Sequence, residues 1–210
     1  MRSWRSLKNR KVDVHRHGAE APRKPPIKLE HRKIVLGIDP GLARMGFGAI
    51  YQENGRHKVL RCGTLTSAAR QPLEQRLADL FGQLRDVLRE TAPAEVAVEE
   101  LFFSRNAKTA IAVGQARGVA LLACGLAGVP VYEYRPMEVK QAVAGYGAAD
   151  KEQVQKMVKL LLGLAEAPKP DDTADALAIA LTHTQCSGTR LSEAVKRLAK
   201  NAAGPTFLKG

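Results

Sequence analysis

Long apolar runs are missing from this 210-residue sequence, and their absence argues against a membrane protein. No segment approaches ~18 uninterrupted apolar residues, the length that crosses a bilayer as a helix. Residues 1–32 also lack the apolar central region of a secretory signal. We therefore expect no membrane partner and a cytoplasmic location.

Cysteine is scarce as well, and its placement excludes two kinds of stabilising site. The three cysteines, Cys62, Cys124 and Cys186, are far apart and form no CxxC pair. Their number and spacing do not suit a disulfide framework or a zinc site, and they fit a reducing compartment. We expect all three to be small buried hydrophobes.

Positive charge is abundant, but the middle of the chain has little of it. The net charge is +12, of which residues 1–32 supply +7 and residues 188–210 supply +4. Only +1 remains for residues 33–187, so composition alone is weak evidence for nucleic-acid binding by the folded part. We predict a basic, flexible extension over residues 1–32, one compact domain over residues 33–187, and a basic tail over residues 188–210.

The compact domain is organised around its first strand. Residues 34–38 are almost continuously aliphatic, which is typical of a strand buried on both faces, and Pro40 and Gly41 then end it. Asp39 is left where a buried strand meets a turn. A lone buried carboxylate is costly unless something pairs with it, so Asp39 is either a turn residue or a metal ligand.

The elements after this strand follow from periodicity. Alternating residues predict a second strand near 46–51 and a third near 58–65, joined by an Asn-Gly hairpin turn. A helix is predicted from Pro72 to the residue before Pro93, and a short strand follows at 95–100. Residues 106–127 predict a helix rich in Gly and Ala, whose small side chains permit close packing within the fold or across a dimer.

Carboxylates gather at the ends of several predicted elements. Glu99 and Glu100 close the short strand, and Asp172 and Asp175 lie in the first turn of the last predicted helix, on one face. Oxygen ligands from separate elements suit a hard divalent cation. Each has a simpler explanation: the two aspartates favour the helix dipole, and the two glutamates are solvated.

Five segments, in order along the chain, resemble the RuvC-type Holliday junction resolvases and together cover about residues 33–185. They are residues 34–41 (IVLGIDPG), with Gly46 and Gly48 after them, 98–102 (VEELF), 114–120 (GQARGVA), 139–141 (VKQ) and 172–178 (DTADALA). Residues 1–32 lie outside the resemblance.

The resemblance implies an α/β fold of the ribonuclease-H-like kind, with a mixed five-stranded sheet flanked by helices on both faces. It implies a homodimer that nicks two like-polarity strands of a four-way DNA junction and leaves 5′-phosphate and 3′-hydroxyl ends. Two Mg²⁺ or Mn²⁺ ions would be held by Asp39, Glu99, Asp172 and Asp175. Asp171 and Glu100 fall outside the matching positions.

Further positions are assigned to DNA binding by the same resemblance. Lys140 and Lys151 match basic positions that neutralise phosphates, and Phe102 matches an aromatic residue that stacks on junction bases. Arg105 would extend that surface. Without the resemblance, the lysines are explained as solvated helix residues and Phe102 as a core residue. A branch-migration helicase complex is a further implied partner, and association with the bacterial nucleoid an implied location.

Two other functions compete with junction resolution. The first strand and its turn also resemble the phosphate-binding start of sugar kinases and actin-like ATPases, but no second glycine-rich phosphate loop is present. A non-catalytic basic DNA-binding protein would use the charged ends. That alternative leaves the ordered carboxylates unexplained, because bare carboxylates repel phosphates unless a metal ion intervenes.

Overall fold

The computed structural model describes residues 32–100 and 107–202, and side chains over residues 32–100 and 109–187. The described residues form five strands and five helices. In chain order these are β1 (Ile34–Asp39), β2 (Arg44–Glu53), β3 (Arg56–Thr66), α1 (Leu73–Thr91), β4 (Glu95–Glu99), α2 (Ala107–Leu126), β5 (Val131–Tyr134), α3 (Pro136–Ala144), α4 (Lys151–Leu162) and α5 (Asp171–Ala202).

The strands form one mixed sheet in the order β3-β2-β1-β4-β5. The first three strands make an antiparallel meander, as the hairpin signal predicts, and β4 and β5 then add in parallel through helical crossovers. The central position of β1 explains its continuous aliphatic run, since a central strand covered on both faces exposes no side chain.

Helices cover both faces of the sheet and divide the core in two. Alternate residues of a strand point to opposite faces, so Leu36 and Ile38 of β1 pack with α1 and α2, whereas Val35 packs with α3, α4 and α5. Asp39, which has the same parity as Val35, therefore lies on the α5 face of the sheet. This arrangement confirms the predicted α/β class.

Helix α5 lies unusually close to β1 and β2 because glycines face it. A Cβ atom added at Gly37 would stand 2.0 Å from the carbonyl oxygen of Ala176, and one at Gly46 would stand 1.9 Å from that of Asp172. Both distances are far inside van der Waals contact, so only glycine allows the helix to approach. The first turn of α5 is thereby fixed against the strand that neighbours Asp39.

The last predicted helix extends beyond the segment that indicated it. Residues 171–181, with acids in the first turn, are typical of a helix, and α5 continues to Ala202. The predicted boundary at residue 187 therefore falls inside a helix.

The cysteine prediction is correct for one residue only. Cys124 is buried on α2, whereas Cys186 is half-buried and Cys62 is exposed. Cys62 is exposed because it lies on β3, an edge strand of the sheet with fewer neighbours to cover its side chains.

Helix α2 is the most apolar surface element of the described chain. Its segment Thr109–Leu126 is long and apolar enough to cross a membrane by length and composition, although only 22% of it is buried. Its inner face packs in the core through small residues such as Ala116 and Ala120. Arg117, in the middle of the segment, pairs with Glu133 at 2.5 Å. The helix is thus anchored to the domain along one side, while its other side is exposed.

Candidate active site

Two carboxylates meet where the central parallel strands end. β1 and β4 run in parallel with Ile38 opposite Val98, so the next residue along each strand places Asp39 beside Glu99. Both side chains are half-buried and belong to the face that α5 covers. The strand pairing alone therefore brings together two of the four predicted ligands.

Asp172 and Asp175 join this pair from the first turn of α5. The close approach at Gly46 sets the backbone of Asp172 directly above β2, and Gly46 is the register partner of Asp39. Both aspartates are half-buried. The structure thus gathers all four predicted carboxylates, from three different elements, at one end of the sheet.

The crowding of negative charge is strongest at Asp39, whose pKa is raised from 3.8 to about 7. Burial is the main cause, because a low dielectric disfavours the ionised form. Repulsion from Glu99, Asp175 and Asp172 follows in that order, and only Lys151 opposes the shift. A carboxyl held in this way needs a cation nearby to ionise fully at neutral pH.

The pKa values of two neighbours move in the same direction. Burial, and then repulsion from Asp175, raise the pKa of Glu99. Burial raises the pKa of Asp175 as well, although the ammonium of Lys151 offsets part of the effect. Three carboxyls with raised pKa values at one strand edge are typical of a functional site rather than of solvated charges.

Lys151, at the start of α4, is one of two cations that contact this cluster. Its Nζ lies 3.2 Å from Oδ2 of Asp171 and 3.2 Å from Oδ2 of Asp175. The Gln155 side-chain amide donates to the other oxygen of Asp171 at 3.0 Å. Lys151 therefore contacts a predicted metal ligand directly, in addition to its predicted role as a phosphate contact.

Arg44 approaches the cluster from the start of β2. Its Nε lies 3.1 Å from Oδ2 of Asp172, within ion-pair distance. The N–H group does not point at that oxygen, however, and the buried Oδ2 atom has no hydrogen-bond partner among the described residues. We conclude that charge attraction holds this pair without a formed hydrogen bond.

The donor set suits a hard divalent cation. It consists only of carboxylate oxygens, which Mg²⁺ and Mn²⁺ prefer, and the buried Oδ2 of Asp172 retains free lone pairs. In the described residues, no group of three or more His, Cys, Asp or Glu side chains is already close enough to hold an ion. Joint coordination of an ion by these carboxylates would therefore require side-chain rotations that bring their oxygens closer together.

The predicted DNA-binding residues have different outcomes. Lys151 lies at the site as described, whereas Lys140 is half-buried on α3 and forms no ion pair with another described residue. Phe102 and Arg105 lie outside the described residues. Glu100, which the resemblance left out of the site, pairs with Arg135 at 3.0 Å and so has its own partner.

Sequence reasoning missed Arg44, Asp171 and Gln155. Asp171 precedes the predicted ligand Asp172 in the sequence, and this position could have indicated that it lies near the site. Its contact with Lys151, however, depends on how α4 packs beside α5. No sequence signal pointed to Arg44, because its contact with Asp172 arises from the packing of α5 on β2.

The raised pKa of Asp39 predicts a pH-dependent stability. Between about pH 4 and about pH 7 the folded carboxyl keeps a proton that the unfolded chain releases, since its pKa is about 7 in the fold against 3.8 ordinarily. The free energy of unfolding should therefore fall as pH rises through this window when a chelator is present. Urea unfolding at several pH values measures the slope. Asp39→Asn should show a smaller slope than the wild type, and equal slopes would contradict the assignment.

The chain is similar to one family of known proteins over most of its length. The family profile described as "Crossover junction endodeoxyribonuclease RuvC" matches residues 35–183. The chain belongs to the RuvC family. A RuvC from Chloroflexus aggregans is 55% identical over 155 residues, covering 74% of this chain and 94% of the relative. The RuvC of Brevibacillus brevis is 52% identical over 164 residues, covering 78% of this chain and 99% of that relative.

A solved structure supports the same assignment. "T. thermophilus RuvC in complex with Holliday junction substrate" is 44% identical, with a TM-score of 0.69, and the match covers 72% of this chain and 93% of that one. RuvC membership confirms the predicted ribonuclease-H-like fold and the prediction of a junction-resolving endonuclease. It also confirms metal dependence at the level of the family. The kinase-like and purely architectural alternatives are therefore set aside.

Proposed function

We propose that this RuvC-family protein resolves four-way DNA junctions by paired nicks in two strands of like polarity, leaving 5′-phosphate and 3′-hydroxyl ends, during recombination and repair. The observation that carries the proposal is the convergence of Asp39, Glu99, Asp172 and Asp175 at one edge of the sheet. The solved relative bound to a Holliday junction supports the choice of substrate.

These four carboxylates are the proposed ligands of two divalent cations, Mg²⁺ or Mn²⁺. When bound, such ions activate a water molecule and stabilise the leaving oxygen of a phosphodiester. Asp39 is fixed by the central strand and Asp172 by the close packing at Gly46, so each ligand is carried by a rigid backbone. Glu99 completes the set from the neighbouring strand, and Asp175 does so from the same face of α5 as Asp172.

The other residues of the site hold the nucleic acid in the proposal. Lys151 lies within 3.2 Å of Asp175, so its ammonium can neutralise a phosphate that is brought to the same carboxylates. Lys140, Phe102 and Arg105 remain predicted contacts to phosphates and bases further along the junction. The basic residues of 1–32 and 188–210 would add affinity that depends on salt.

The experiment that tests this function compares two DNA shapes and two ionic conditions. The full chain is incubated with a synthetic four-way junction and with a linear duplex of matched sequence, each with Mg²⁺ and with chelator. We expect two symmetric nicks in the junction with Mg²⁺ only, and products that DNA ligase seals. Cutting of the duplex at an equal rate, or ends that cannot be ligated, would contradict the proposal.

Paired nicking calls for two active sites, and α2 offers a surface on which two copies could meet. Ile111, Leu122 and Leu126 are 61%, 56% and 71% exposed. Gly118 lies on the same stripe of the helix, at helical spacing, and a Cβ atom there would meet nothing within 4 Å. We include in the proposal that α2 packs against its symmetry mate in a homodimer, with Gly118 allowing close approach.

Leu122→Glu is expected to break this dimer. Burying a large aliphatic side chain is worth roughly 1.5–3 kcal/mol, and an unpaired buried carboxylate costs more, so the dimer dissociation constant should rise at least about 100-fold. Sedimentation velocity measures it. Leu160→Glu, at a residue of α4 that is 69% exposed, is the matched control and should leave the mass unchanged. A Leu122→Glu protein that remained dimeric would exclude α2 as the interface.

Two wider features complete the proposal. We place the protein in the bacterial cytoplasm, associated with the nucleoid, because its substrate is chromosomal DNA. A branch-migration helicase complex is the proposed partner that would bring junctions to it. Pull-down of the full chain with junction DNA from its own cells, with and without nuclease treatment, would test for a partner that persists when DNA is removed.

A further inference from the structure

Arg44 is a residue that neither the sequence patterns nor the family positions single out. It lies at the end of β2 nearest the carboxylates, and its side chain is 58% exposed. Its only ion pair in the described part of the chain is with Asp172. Arg44 therefore combines contact with a proposed metal ligand and access to solvent at the mouth of the site.

The backbone of Arg44 is held close to the proposed ligands. A Cβ atom added at Gly41 would stand 2.2 Å from the Arg44 carbonyl oxygen, so the turn after Asp39 packs directly on this residue. Two residues further along β2, Gly46 meets the backbone of Asp172. The Cα atom of Arg44 is thus packed beside the site, and its long side chain is the part with room to turn.

The contact with Asp172 is suited to being broken. The guanidinium lies 3.1 Å from Oδ2 but does not form a hydrogen bond with it. The Arg44 side chain is 58% exposed, and an ion pair with one exposed partner and no hydrogen bond contributes little to stability. A divalent cation that uses the same oxygen would remove the negative charge that keeps Arg44 in place.

We propose that Arg44 is an exchangeable cation: it neutralises Asp172 in the metal-free protein and turns to a DNA phosphate when a divalent cation takes that carboxylate. The inference rests on the proposed assignment of Asp172 as a metal ligand. Arginine suits the second role because its fork of donors matches phosphate oxygens. The phosphate would be one adjoining the scissile bond, since Arg44 stands beside the carboxylates that surround it.

This exchange makes cation binding and DNA binding favour each other. Without Arg44 the cation no longer competes with an arginine, so it should bind more tightly to the free protein. The DNA, in contrast, loses a phosphate contact that is available only in the cation-loaded state. A positive charge that kept one position would contribute to DNA binding with and without the cation, whereas the exchange makes the phosphate contact depend on the cation.

The test compares Arg44→Gln with Arg56→Gln, which removes the same charge from an exposed residue at the far end of the β2-β3 hairpin. Thermal unfolding of each full-length protein is followed during titration with Ca²⁺ in the absence of DNA. We expect the Ca²⁺ concentration that raises each protein's own melting temperature by a fixed amount to be about two- to fivefold lower for Arg44→Gln and to equal the wild-type value for Arg56→Gln.

Junction binding is then measured over a salt series, in Ca²⁺ and in chelator, with denaturing gels confirming that the DNA stays intact. For Arg44→Gln we expect the affinity in Ca²⁺ to fall about three- to tenfold and the salt slope to decrease by about one. The loss should be smaller in chelator. An unchanged or higher Ca²⁺ concentration for that fixed rise in melting temperature, or a loss of junction affinity no larger than that of Arg56→Gln, would overturn the exchange. A wild-type protein that Ca²⁺ does not stabilise would overturn the metal assignment itself.

Discussion

Asp39→Asn is expected to lower the rate of junction cleavage by ~10³-fold or more while junction binding persists. Asparagine keeps the shape of the side chain but removes the charge that would hold a cation, and such a cation supplies several kcal/mol of transition-state stabilisation. About 4 kcal/mol corresponds to about three powers of ten in rate. Single-turnover cleavage and gel-shift titration measure the two quantities separately.

The same substitution should make the metal-free protein more stable, which separates it from a folding defect. Ionised Asp39 is disfavoured in the fold by burial and by its acidic neighbours, so a neutral amide relieves strain above about pH 7. The melting temperature in chelator at pH 8 should therefore rise. Glu100→Gln is the control, since Glu100 follows Glu99 in the sequence but pairs with Arg135. This variant should keep the cleavage rate within about twofold of the wild-type rate. Equal losses in both variants would contradict the assignment of Asp39.

Gly46→Ala is expected to damage both the fold and the site. The added methyl group would overlap the backbone carbonyl of Asp172, at 1.9 Å, and a backbone atom cannot rotate away as a side chain does. The first turn of α5 must then move off β2, which should cost about 2–4 kcal/mol of unfolding free energy. A displacement of about 1 Å at a catalytic group can lower the rate by about 100-fold. Urea unfolding and single-turnover cleavage measure these effects.

Gly82→Ala serves as the control for a glycine substitution without a clash. Gly82 lies inside α1, where an added Cβ atom meets nothing within 4 Å. Alanine should stabilise this helix by about 0.5–1 kcal/mol and leave cleavage unchanged. If Gly46→Ala behaved like Gly82→Ala, the close packing of α5 on β2 could not be what positions Asp172.

The sequence predicted secondary structure best where the pattern of a single short segment determines whether that segment is buried or turns. The aliphatic run before Asp39 predicted a buried central strand, and the Asn-Gly turn predicted the hairpin that follows; both are present. The resemblance singled out carboxylates at the ends of β1 and β4 and at the start of α5, and these element ends lie together in the fold. Their role as metal ligands stays a prediction.

Other features depend on contacts between distant segments and were beyond sequence reasoning. Arg44 pairs with Asp172 because glycines let α5 approach β2. Lys151 pairs with Asp171 and Asp175 because α4 starts beside the first turn of α5. The exposure of Cys62 follows from the position of β3 at the edge of the sheet. None of these can be read from spacing, since each is a consequence of the assembled sheet.

Crystals soaked in Mn²⁺ test most directly whether Asp39, Glu99, Asp172 and Asp175 jointly hold divalent cations. Anomalous scattering locates manganese independently of any assumption about the ligands. We expect anomalous peaks between these four carboxylates, with the side chain of Arg44 turned away from Asp172. Peaks elsewhere on the molecule, with this cluster empty at a Mn²⁺ concentration that supports cleavage, would contradict this assignment.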